Sequence, residues 1–149
     1  MEEAMNSSLG TLGAMGALCF AAIGSALGTG AAGAAAIGAW KKCYAQGKTA
    51  PMKLVTFVGA PLSQTIYGMI LLFVINGKAA EGTSFPSLLG GGIIAGMAMG
   101  FSAWLQGKAG AAGSVALAET GEGFTNYLTA LGVIETVAIF VMVLAMIAL

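Results

Sequence analysis

The sequence contains no histidine, no arginine and no aspartate, and only 8% of its residues are charged. Without histidine, the chain can form neither a His-ligated metal site nor a His-dependent catalytic triad. Soluble domains usually have about a quarter of their residues charged, so this composition argues against one. The formal net charge of zero gives no indication of nucleic-acid binding.

What the chain has instead is apolar sequence, with 58% apolar residues and a mean hydropathy of +0.90. Four long apolar runs can each cross a bilayer, which needs roughly 20 residues of helix. Inside lipid the backbone must satisfy its own hydrogen bonds, so we predict an all-α membrane protein with four transmembrane helices. The predicted spans are about 9–39, 54–75, about 87–117 and 124–149, and the loops are 40–53, 76–86 and 118–123.

An internal repeat divides the chain. Residues 25–35 align with residues 102–112, and seven of the eleven pairs are identical. Such a repeat predicts a duplicated helical hairpin. We therefore expect a single membrane domain, residues 1–149, made of one hairpin at about 9–75 and a second at about 87–149.

Glycine recurs every four residues in the third span, at Gly92, Gly96 and Gly100, and with the same spacing at Gly24 and Gly28 in the first. Small residues on one helix face allow two backbones to approach closely. One interpretation is a tight four-helix bundle. The one we favour is two concentric layers, with the glycine-rich helices inside and the bulkier second and fourth helices facing lipid.

Lysine predicts the orientation. Four of the six lysines lie in loop 40–53, and the positive-inside rule places that loop in the cytoplasm and both termini outside. The Met1-Glu2-Glu3 start has no basic region, and the apolar run after it is too long for a signal peptide. Cys19 and Cys43 should differ in depth, so we expect two ordinary thiols and no disulfide.

Glu135 is the only acidic residue inside a predicted span, since the other five glutamates lie at the N-terminus or in loops. It lies about ten residues into the fourth helix, near the middle of the bilayer. A charged carboxylate there costs several kcal/mol and usually marks an ion or proton path. The alternative is a protonated carboxyl group that only links helices.

Polar side chains on two other spans reach a similar depth. Gln64 lies about ten residues and Gln106 about eleven residues from the loop 40–53 end of their helices. In the second span, residues 60, 63, 64 and 67 share one helical face by their spacing. Alone, each glutamine would be a hydrogen-bond partner between helices; together with a carboxylate they can line a cation site.

Pro61 interrupts the second span at this depth. It lacks an N–H, and its ring clashes with the carbonyl four residues earlier, so we expect a kink and loosened carbonyls around residues 57–60. Loosened carbonyls that line a site can bind Na⁺ or another cation. The alternative is a kink that serves only packing.

Three stretches together resemble a known family. They are Pro-Leu-Ser-Gln-Thr-Ile-Tyr-Gly at 61–68, Gln-Gly-Lys-Ala-Gly-Ala-Ala-Gly at 106–113, and Ile134-Glu135-Thr136. With the duplicated hairpin, they make the whole chain similar to the proteolipid subunit K, the c-type ring subunit, of bacterial V-type (A/V-type) ATPases. The resemblance implies a homo-oligomeric rotor ring in the plasma membrane, coupling ion translocation to rotation for ATP-driven pumping or ATP synthesis.

The resemblance also implies partners and ligands. A stator membrane subunit would supply an essential arginine, central-stalk subunits would sit on the cytoplasmic loops, and this chain would hold no nucleotide site. Tyr67 would hydrogen-bond the carboxylate, and Thr136 follows the carboxylate as in sodium-type relatives. The Na⁺ ligands carried over by resemblance are the backbone carbonyl of Ala60 before Pro61, the hydroxyl of Ser63, the side chains of Gln64 and Gln106, and the carboxylate of Glu135.

The number of oxygen ligands at the site distinguishes Na⁺ from H⁺ as the transported ion. A proton carrier needs a carboxyl group and at most one hydrogen-bond partner, whereas a hard cation requires several oxygens. Five candidate oxygens favour Na⁺, one ion per protomer, over H⁺. The other functions weighed are a proton-coupled small-molecule transporter, which needs an open cavity lined by aromatic residues, and a structural or channel-forming bundle, which needs no carboxylate.

Overall fold

The computed structural model describes the backbone of residues 2–149 and the side chains of residue 5 and residues 8–149. The prediction made from the Met1-Glu2-Glu3 start concerns residues outside the described side chains. Within the described chain, every regular element is helical. The elements are α1 (Glu2–Ala45), α2 (Leu54–Gly59), a single 3₁₀ turn (Ala60–Leu62), α3 (Ser63–Ala80), α4 (Phe85–Thr120) and α5 (Phe124–Ala148).

Four helical stretches are long and apolar enough to cross a membrane: Ser8–Ala45, Leu54–Ala80, Phe85–Thr120 and Phe124–Ala148. The second of these, called the second span below, consists of α2, the 3₁₀ turn and α3. The prediction of an all-α protein with four transmembrane helices is confirmed. Loops 46–53 and 121–123 lie at one end of the bundle, called the loop end below.

The predicted loop 40–53 is wrong at its start, because α1 continues as a helix to Ala45. Contacts distant in sequence stabilise these extra turns. The Trp40 indole N–H donates to the Pro51 carbonyl at 2.9 Å, and the Lys42 ammonium lies 2.6 Å from a carboxylate oxygen of Glu119 on α4. Gly47, at φ 64°, then reverses the chain in a conformation that favours glycine. Cys43 therefore lies in the helix, buried, and both cysteines are free thiols.

The repeated glycines let α1 and α4 pack backbone to backbone. A Cβ built on Gly24 would overlap the backbone of Gly100, and one built on Gly107 would overlap Gly28. The same holds nearer the other end of α4, where Gly92 meets the carbonyl of Gly13. The spacing of four residues therefore works as predicted, since it removes side chains along one face of each helix.

The second span and α5 pack against the α1–α4 pair. Leu71 and Ile75 of α3 are fully buried in the core formed with α1 and α4. Helix α5 is covered far less, because Leu131 and Ala138 are its only buried residues within the described chain. One side of each of the second and fourth spans thus faces outward, which fits bulky, lipid-facing helices.

We predict that Gly24→Ala destabilises the protein, because the new methyl group meets the backbone of Gly100 and overpacking costs about 1–3 kcal/mol. Thermal unfolding of the detergent-solubilised protein measures this. The matched control is Gly30→Ala on the same helix, where a Cβ meets nothing within 4 Å. A Gly24→Ala protein as stable as the Gly30→Ala control would contradict the close packing of α1 and α4.

Candidate ion-binding site

Pro61 causes a break in the second span. Because proline lacks an N–H, the chain passes through one 3₁₀ turn at Ala60–Leu62 before α3 begins. The Ser63 hydroxyl folds back and donates to the Ala60 carbonyl at 3.1 Å. Gly110 on α4 leaves room for the Phe57 carbonyl, since a Cβ there would lie 2.8 Å from that oxygen. The irregular turn begins at Ala60, the last of the residues 57–60 for which loosened carbonyls are predicted, and extends to Leu62.

Two glutamine side chains connect the second span to α4. The Gln64 side-chain N–H₂ donates to Gln106 Oε1 at 2.8 Å, and both residues are fully buried. The other end of the Gln64 amide, Oε1, lies 3.2 Å from the Ser63 hydroxyl and shares its single proton with the Ala60 carbonyl. A buried amide must find such partners, because water cannot replace them inside a membrane bundle.

Glu135 on α5 lies at the end of this hydrogen-bonded chain. Gln106 Nε2 donates to Glu135 Oε2 at 3.0 Å, and the Tyr67 hydroxyl donates to Glu135 Oε1 at 2.6 Å. Both carboxylate oxygens therefore have a donor, one from α4 and one from α3. The carboxylate is partly buried and faces the bundle, which is the arrangement expected for an ionisable group at this depth.

Helix α4 also holds the backbone of α5 next to Glu135. Gln106 Nε2 lies 3.0 Å from the Leu131 carbonyl, and the Ser102 hydroxyl donates to the Ile134 carbonyl at 3.0 Å. Reasoning from the sequence missed Ser102 as a site residue. Its position four residues before Gln106, on the same face of α4, is the signal that could have identified it.

The structure brings five of the candidate residues into one hydrogen-bonded network: Ser63, Gln64, Tyr67, Gln106 and Glu135. Ala60 belongs to it through its backbone carbonyl, and Pro61, which is buried, shapes the turn. Thr136 does not join the network. Its hydroxyl donates to the Val133 carbonyl at 2.7 Å in the same helix and is exposed on the protomer.

The chemistry available here is that of one carboxylate in a network of neutral amide and hydroxyl groups. Within the described residues, no three His, Cys, Asp or Glu side chains come together as transition-metal ligands. The oxygens that belong to this network are a peptide carbonyl, the hydroxyls of Ser63 and Tyr67, two amide oxygens and the carboxylate of Glu135. Hard monovalent or divalent cations prefer oxygen ligands, and a single negative charge suits an ion of charge one.

We predict that Tyr67→Phe weakens the packing of α5 against α3, because Glu135 Oε1 loses the hydrogen bond that the Tyr67 hydroxyl donates. The expected loss of stability is about 1 kcal/mol, measured by thermal unfolding in detergent at neutral pH. Tyr44→Phe, which changes an exposed tyrosine outside the site, is the control. Equal stabilities of the two variants would contradict a Tyr67–Glu135 hydrogen bond.

Comparison with known proteins adds an independent observation. Residues 89–148 match the family model that describes the C subunit of ATP synthase. The matched stretch contains Ser102, Gln106 and Glu135 but not the second span. A search of curated proteins finds no match to the chain. The second hairpin is therefore similar to the C subunit of ATP synthase, over a stretch that covers less than half of the chain.

Proposed function

We propose that the chain is the rotor-ring subunit of a V-type ATPase and carries one cation per protomer, Na⁺ rather than H⁺, on Glu135. The observation that supports this most directly is the chain of hydrogen bonds from Ser63 through Gln64 and Gln106 to Glu135. It joins three spans around a single carboxylate in the membrane interior. A carboxylate that served only to link helices would not need two buried glutamines beside a broken helix.

The oxygen atoms favour Na⁺ as the ion. The Ala60 carbonyl, the Ser63 hydroxyl and Gln64 Oε1 follow one another at 3.1 and 3.2 Å, and Gln106 Oε1 lies 2.8 Å from the Gln64 nitrogen. Binding a cation requires the Ser63 hydroxyl proton to turn away, so that its oxygen can act as a ligand. With Glu135, the set provides five oxygens, whereas a proton carrier needs only the carboxyl group and one partner.

Transport follows from the charge of Glu135. An ionised carboxylate facing lipid costs several kcal/mol, so the protomer can leave an aqueous half-channel only with its carboxylate neutralised by the bound cation. An arginine on the stator would stabilise the ion-free carboxylate while one ion leaves and the next arrives. Each charge that crosses the membrane contributes about 2.3 kcal/mol per 100 mV, so several ions must pass to drive one chemical step.

The surroundings of the ring follow from the distribution of charge. Lys41, Lys42, Lys48 and Lys53 cluster at the loop end, which we place in the cytoplasm by the positive-inside rule, with both termini outside. The central-stalk subunits would contact this end, and the membrane would be the plasma membrane. The chain would carry ions and hold no nucleotide, so catalysis belongs to other subunits of the complex.

The first test is carbodiimide labelling of Glu135 in the detergent-solubilised ring at fixed pH. The reagent modifies only a protonated carboxyl group, so bound Na⁺ should slow labelling in a saturable way. Choline chloride at the same ionic strength is the control salt, and Glu135→Gln is the control for specificity. Labelling that depends on pH but is unchanged by Na⁺ would indicate that the ring carries protons and would contradict the assignment of Na⁺. No labelling of Glu135 in any salt would contradict its role as carrier.

The second test is ATP-driven sodium uptake into vesicles that contain the whole ATPase. We expect Glu135→Gln to reduce uptake to the background of vesicles without ATP, because the amide cannot neutralise a cation's charge. The matched control is Glu122→Gln, an exposed glutamate in loop 121–123, which should transport normally. Normal uptake by an assembled Glu135→Gln ring would favour the structural interpretation of this residue.

A further inference from the structure

Two hydrogen bonds from α4 hold the backbone of α5 in the turn that precedes Glu135. Gln106 Nε2 donates to the Leu131 carbonyl and the Ser102 hydroxyl to the Ile134 carbonyl, each at 3.0 Å. We call this pair of bonds the backbone clamp. Leu131 lies one turn before Glu135 and Ile134 immediately precedes it, so both acceptors belong to the turn that ends in the carboxylate.

Helix α5 is the element that most needs such a clamp. Within the described protomer it has only two buried residues, Leu131 and Ala138, so packing inside the protomer gives it little resistance to turning about its axis. Successive residues of a helix point about 100° apart, so a turn of half that angle would move Glu135 away from Tyr67 and Gln106. The hydrogen bonds to the Glu135 side chain would break in such a rotation. The backbone clamp opposes the rotation itself, because it holds the backbone of α5.

We propose that Ser102 is a positioning residue, whose hydrogen bond to the Ile134 carbonyl sets the rotation of α5 and keeps Glu135 in the site. This rests on the proposed role of Glu135 as ion carrier. Ser102 is 5% exposed and donates to no oxygen of the candidate ion site, so its effect passes through the α5 backbone. Gln106 serves both the clamp and the carboxylate, whereas Ser102 serves the clamp alone.

The internal repeat provides a matched control for this hydroxyl. Ser25 occupies the position in the first hairpin that Ser102 occupies in the second, by the alignment of residues 25–35 with 102–112. Ser25 is as buried, at 2% exposed, yet among the described side chains its hydroxyl is the buried polar group that has no hydrogen-bond partner. Ser25→Ala therefore removes a buried serine hydroxyl from a glycine-rich helix, as Ser102→Ala does, but it breaks no hydrogen bond of that hydroxyl.

The test compares Ser102→Ala with Ser25→Ala in the assembled, detergent-solubilised ring. The readout is the initial rate of carbodiimide labelling of Glu135 without Na⁺ at fixed pH, with thermal stability measured alongside. We expect Ser102→Ala to raise the labelling rate about threefold to tenfold, the effect of one interhelical hydrogen bond in a membrane protein. Ser25→Ala should label at the rate of the unmodified ring.

The outcomes separate the clamp from a structural role and from the proposed function. A Ser102→Ala ring that is less stable but labels at the normal rate would overturn the proposal, as would an equal rise in both variants. Glu135 that fails to label in the unmodified ring would contradict the carrier function instead. Should Ser102→Ala not assemble, the comparison is repeated with Ser102→Cys and Ser25→Cys. The Ser102→Cys ring must then label faster than the Ser25→Cys ring, since the thiol is a weaker donor than the hydroxyl.

Discussion

The side-chain amide of Gln106 is the group on which the interior of this bundle depends. Its oxygen accepts from Gln64 on the second span, and its nitrogen reaches both the backbone and the carboxylate of α5. The adjacent Gly107 packs on the backbone of Gly28, so α4 comes close enough to α1 to hold the amide at the centre of the protomer. With no water to replace these bonds in lipid, each partner constrains the next.

Much of the fold could be predicted from the sequence because two strong physical signals coincide. Apolar runs of sufficient length leave helices as the only stable form in a membrane, and the glycine spacing identifies the pair of helices that pack closely. The candidate site was predictable for a related reason. Polar side chains are costly inside a span, so Gln64, Gln106 and Glu135 are expected to meet, and the proline places the irregular turn beside them.

The parts that the sequence did not predict depend on contacts between distant residues. The last turn and a half of α1 contains two lysines and looked like a loop, but Lys42 pairs with Glu119 and Trp40 with the backbone of Pro51. The signal for Ser102 was its position four residues before Gln106, but that spacing does not identify the Ile134 carbonyl as its acceptor. Ser25 occupies the matching position of the repeat and makes no such bond, so the repeat alone does not predict the bond of Ser102.

The glycine interface between α1 and α4 also bears on how the chain is built. The two faces that meet are separated by an entire span and two loops, so α1 is synthesised well before its partner. Until α4 arrives, the exposed glycine face has no matching backbone to pack against. The contact between α1 and α4 can therefore form only after the third span has entered the membrane beside the first.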